Sequence, residues 1–132
     1  MRVLSRTFVA VLLTAVAFGF PTVASAQAPS QSVRTIAGIM AKMNHFPNDA
    51  EKTTLQGIVD STTATAGEKV LAAALRNVQH SATADDKVKL GALSKDQTAS
   101  GEVRMLAGIL AGITHTATEA EKAMLAKVAA AK

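Results

Sequence analysis

The chain of 132 residues has no cysteine, no tryptophan and no tyrosine, and only four phenylalanines. Each absence removes a class of function. Without thiols there is no disulfide framework, no thiolate metal site and no cysteine nucleophile, so a chain of this size must be stabilised by packing alone. Phe8, Phe18 and Phe20 fall in the first 26 residues, which leaves Phe46 as the one phenylalanine beyond them. A single ring makes no stacking platform for single-stranded nucleic acid and no aromatic wall for a sugar. Glycine-rich phosphate loops are missing too, and no run after residue 26 approaches the ~20 apolar residues that a membrane-spanning helix needs.

Residues 1–26 read as an export signal. MRVLSR carries two arginines, FVAVLLTAVAFGF is apolar throughout, and Ala24-Ser25-Ala26 supplies the small residues a signal peptidase accepts. We therefore expect a periplasmic or secreted protein whose mature part is residues 27–132, a single domain of 106 residues. Twelve basic residues remain there against ten acidic ones, a net charge of +2. So small an excess gives no reason to expect nucleic acid as a partner.

What the chain does have is repetition. At a shift of 35 residues three units superpose, covering about 30–64, 65–99 and 100–132. Residues 33–59 and 103–129 share 11 identities in 27 positions. Ala37/Ala72/Ala107, His45/His80/His115, Lys52/Lys87/Lys122 and Leu55/Leu90/Leu125 are identical in all three. The period is near that of tetratricopeptide and pentatricopeptide repeats, but the aromatic positions of the former are absent and no family is assigned.

Each unit reads as two short helices and a turn. Val33, Ile36, Ala37, Met40 and Met43 share one helical face, repeated by Leu71, Ala72, Leu75 and Val78 and by Leu106, Ala107, Leu110 and Ile113. Ser30, Thr65 and Ser100 stand where caps of the first helices belong. Asn48-x-x-Glu51, Thr83-x-x-Asp86 and Thr118-x-x-Glu121 read as capping boxes of the second helices, whose apolar sides are Leu55 and Ile58, Leu90 and Leu93, and Leu125 and Val128. STTATA and SKDQTASG connect the units. The expected fold is all-α, three tandem helical hairpins, either stacked openly or closed into a compact bundle. An open stack would expose its end faces, which closure or homodimerisation would bury.

The three histidines admit several readings. Spacing turns each away from the core stripe and places it at the helix stop, where no glycine is present. Histidine tolerates left-handed backbone there, and its ring can donate to the last free carbonyls. The alternative is a metal site, since three imidazoles are a zinc or copper ligand set and Met40, Met43, Met105 and Met124 offer soft donors. In an in-line stack equivalent atoms lie roughly 10 Å apart and no ion reaches all three; only a closed threefold arrangement brings them together. A proton switch is a third reading. The basic sets Arg34/Lys69/Arg104 and Lys52/Lys87/Lys122 would form columns in a solenoid, fit for an anionic surface.

No serine is spaced with an acid and a histidine as a triad, and the acids are taken up by capping, so no enzyme and no cofactor are expected. The leading expectation is a non-enzymatic role in protein interaction or structural support, with another protein as partner. Metal handling by His45, His80 and His115 is the alternative.

Overall fold

A computed structural model describes residues 27–132; the expected export signal lies outside the described residues. Six helices follow in order: α1 Gln31–Lys42, α2 Asp49–Asp60, α3 Ala66–Arg76, α4 Ala84–Lys95, α5 Gly101–Gly112 and α6 Glu119–Ala130. The all-α fold is as expected, and no strand forms among the described residues.

The caps explain where the helices begin. Ser30, Thr65 and Ser100 start α1, α3 and α5, and each side-chain oxygen accepts from the backbone N–H three residues on. Asn48–Glu51 and Thr118–Glu121 close complete capping boxes on α2 and α6. Thr83–Asp86 does not: aspartate is one methylene short of reaching back to the cap amide. The Asp86 carboxylate accepts instead from the Thr83 hydroxyl and from Asn77 Nδ2 at the end of α3. A further box, unforeseen, joins Thr65 and Glu68. The connections are also shorter than the polar runs imply, since Ser94 and Lys95 still belong to α4 and Ala66 already to α3.

The two helices of one unit touch each other little. The outer helix of each unit packs chiefly on the inner helix of the next: α2 on α3, α4 on α5, and α6 back on α1. The last pairing closes the ring, with Arg34 Nη1 donating to the Ala131 carbonyl at 3.0 Å and Ala129 Cβ facing Gly38. Of the two arrangements open at the level of sequence, the compact bundle is the one formed, and it is a threefold one. The inner helices α1, α3 and α5 contact one another around the axis. Ala37, Ala72 and Ala107 are fully buried, and so are Met40, Leu75 and Leu110 one turn further along. Small residues at the crossing let the three axes approach, and the larger ones fill the space beyond. Leu55, Leu90 and Leu125 bury the outer layer. Closure also means that the recurrent basic residues are distributed around the axis and form no columns.

Symmetry fails at the pole where the inner helices begin. Val33 and Val103 are buried there, and their equivalent is Glu68, 5% exposed. Its carboxylate accepts from the Ser30 hydroxyl, the cap of α1, and from the Thr65 N–H at 2.8 Å, the cap of α3. One acid thus joins the N-termini of two helices, whose dipoles favour negative charge. Glu68→Val would make the pole uniform but would strand a cap amide and a hydroxyl. We expect it to lower unfolding free energy by about 1–3 kcal/mol in urea titration.

Asp96, the C-cap of α4, is exposed, and the Thr98 hydroxyl (2.6 Å) and the Thr98 amide (2.8 Å) hold its carboxyl below the ordinary 3.8. A lowered carboxyl stabilises the fold above its unfolded-state value, and that contribution disappears as pH falls through the folded one.

Candidate metal centre

At the opposite pole the inner helices end, and the turns to the outer helices meet on the axis. Helices α1, α3 and α5 stop at Lys42, Arg76 and Gly112, three or four residues before the histidines. His45, His80 and His115 then take φ of 74°, 75° and 68°, the only positive values among the described non-glycine residues. The expected left-handed geometry is therefore present at all three sites. The expected ring-to-carbonyl capping is not. Met43 supplies the C-cap of α1, donating to the Ile39 carbonyl at 2.8 Å, and no imidazole bonds a helix carbonyl among the described residues.

The histidine backbones bond to one another instead. His45 N–H donates to the His115 carbonyl (2.7 Å), His80 N–H to the His45 carbonyl (3.0 Å), and His115 N–H to the His80 carbonyl. Each residue gives one hydrogen bond and takes one, so three equivalent turns close a ring. A left-handed L-residue costs about 1–2 kcal/mol, and such a conformation persists where its surroundings over-determine it. The ring does so here. Beneath it Met43, Val78 and Ile113 are buried, and Pro47, Ala82 and Ala117 anchor the outgoing chain.

The imidazoles follow their backbones. Ring centroids are 5.3 Å apart for His45 and His80, 5.2 Å for His45 and His115, and 5.1 Å for His80 and His115, every pair edge to face. One nitrogen from each lies within 4.8 Å of the other two. Three points so placed are no farther than about 2.8 Å from a common centre, and zinc–imidazole bonds run about 2.0–2.1 Å. Side-chain rotation of under 1 Å per ring is enough to meet an ion. His45 is half-buried and the other two are exposed, so solvent reaches the group. The nitrogens are not taken up by hydrogen bonds to other described side chains.

The structure thus brings together all three sequence-predicted ligands, and it does so through the closed arrangement that their convergence requires. It excludes the nearer methionines. Met40 and Met43 are buried in the core, while Met105 and Met124 line a groove between α5 and α6 beside Gly101 and Val128. The remaining positions set apart by recurrence are structural: Ala37, Ala72 and Ala107 at the inner crossing, Leu55, Leu90 and Leu125 in the outer layer. Lys52, Lys87 and Lys122 lie in the first turns of α2, α4 and α6. Sequence reasoning missed the neighbourhood of Phe46, which is half exposed. Its ring centroid is 6.5 Å from that of His80, and Lys52 Nζ is 5.7 Å from its centroid.

No family model matches the chain, and no match is found among curated proteins or solved structures. The site has to be read from its own geometry.

Proposed function

We propose that the protein binds a divalent transition metal, zinc foremost, through His45, His80 and His115. The observation that carries this is the convergence of three imidazole nitrogens from three separate turns within 4.8 Å. Neutral imidazole is a borderline donor suited to zinc and copper, and a facial set of three suits a tetrahedral ion better than the square-planar preference of copper(II). Three ligands leave at least one position open to solvent. Such a site acquires and releases its ion more readily than a closed four-ligand structural site, which fits binding, buffering or transfer of metal in a periplasmic or secreted setting.

The alternative of an interaction surface has less support. It rests on the extended face of an open stack, and the described residues form a ring closed by α6 on α1. No serine–histidine–acid triad forms among the described residues, and the proposal is of metal binding by the three imidazoles.

Zinc titration of residues 27–132 tests it. One ion per chain should bind, and the melting temperature should rise. At a hundredfold excess over Kd the linkage is about 2.7 kcal/mol, on the order of 10 °C for a domain of this size. Each single His→Asn substitution should abolish most of that shift, and acid should release the ion because proton and metal compete for the same nitrogens. A melting temperature indifferent to zinc and copper would remove the proposal.

A further inference from the structure

The threefold symmetry of the metal-bearing pole is broken on one side, and the break has the character of a ligand pocket. Phe46 follows His45 in the first unit, where the second and third units have Ser81 and Thr116. A half-open cavity of about 250 Å³ is lined by Phe46, Lys52, Gln79 and His80. His80 is therefore both a member of the triad and part of the cavity wall. Lys52, like its equivalent Lys87, has no ion-pair partner among the described residues, while Lys122 is paired with Glu119 at 2.9 Å; of the two unpaired lysines only Lys52 stands beside an aromatic ring. Phe46 is 51% exposed, the only phenylalanine of the described chain, and it is not among the buried core residues. An apolar ring kept in water beside an unpaired ammonium and an amide calls for a partner with both an apolar and an anionic part.

We infer that the open position of the bound metal takes a small carboxylate, whose body lies in the cavity against Phe46 and whose charge is met by the metal and by Lys52. This rests on the proposal that the three histidines hold a metal. The chemistry is an exchange of metal-bound water for a carboxylate oxygen, with no bond broken in the ligand. The size of the cavity limits the occupant to a small molecule. Lys52 contributes by charge, Gln79 by hydrogen bonding, and Phe46 by covering hydrocarbon, so that benzoate binds more tightly than acetate. The corresponding faces next to His45 and His115 lack the ring and bind neither selectively.

Cobalt(II) serves as a spectroscopic substitute for zinc. The cobalt-loaded protein is titrated with acetate and then with benzoate at ionic strength held constant by sodium perchlorate, following the visible d–d bands. A saturable spectral change is expected for both, with benzoate the tighter by about fivefold. Lys52→Ala should weaken both carboxylates by about fivefold while leaving cobalt affinity unchanged, and Lys122→Ala should change neither. Phe46→Ser, which gives the first unit the residue of the second, should erase the preference for benzoate. Phe46 is exposed and Lys52 and Lys122 are half-buried, and cobalt affinity reports that each variant is folded. A cobalt spectrum that forms but ignores both carboxylates overturns this inference alone, and so does an equal response in Lys52→Ala. Absence of the cobalt bands overturns the metal site itself and this inference with it.

Discussion

Cutting Leu75 back to alanine should lower the unfolding free energy by about 3–5 kcal/mol, the larger part of what a domain of this size has to lose. Leu75 lies in α3 at the level of Met40 in α1 and Leu110 in α5, and none of the three is exposed at all. The layer is shared by three helices that are each pinned from outside by a helix of the preceding unit, or by α6 for α1. Relaxation into the cavity would require one inner helix to move inward, and its outer partner would have to follow. The site therefore collapses poorly, which puts the cost near the upper end of the usual range. Urea unfolding measures it: the midpoint should fall with the slope unchanged, because the surface exposed on unfolding is nearly the same. Val88→Ala on α4 is the control, 75% exposed and expected to shift stability by less than about 0.5 kcal/mol. Met40→Leu makes the layer uniform at conserved volume and should cost under about 1.5 kcal/mol.

That layer was legible in the sequence, and its partners were not. The helical spacing of Met40 within its unit and the 35-residue step to Leu75 and Leu110 place all three on one inner face. Cap residues mark each helix start in the same way, and Thr65-x-x-Glu68 has the spacing of a capping box although Glu68 aligns with two valines. Which inner helix an outer helix covers is a different matter. Leu55 and Ile58 form an apolar face that fits the helix before it or the helix after it equally well, and only the three-dimensional path of the turn decides. The closure of α6 on α1 depends on that choice repeated three times. So does the convergence of the histidines, whose recurrence is plain in the chain while their distance is a property of the ring. That Asp86 is one methylene shorter than the glutamates at the equivalent positions is plain in the chain, whereas its contact with Asn77 is not.

Three substitutions at once should separate what the histidine backbones do from what their rings do. Replacing His45, His80 and His115 together by alanine should cost about 2–3 kcal/mol without metal, since histidine is several-fold more common than an ordinary residue in left-handed geometry, a difference of about 0.6–1 kcal/mol at each site. Asparagine tolerates that geometry, so the triple asparagine variant should lie well above the alanine one. Glycine has no Cβ to strain, and the triple glycine variant should match or exceed asparagine, its gain offset by the greater freedom of its unfolded chain. All three variants lose the zinc-induced rise in melting temperature. Urea midpoints in the presence of a chelator give the backbone term, and the shift on adding zinc gives the ligand term. If alanine proved as stable as asparagine, the three-bond ring would not be what holds these residues at positive φ. If the order is as expected and the metal-free histidine protein lies below the glycine variant, histidine is a compromise at these sites: a poorer left-handed residue than glycine, present at three equivalent places. A side chain that serves the fold less well than its simplest replacement needs a use for its imidazole, and three rings edge to face at 5.1–5.3 Å, open to solvent, have the chemistry to hold an ion.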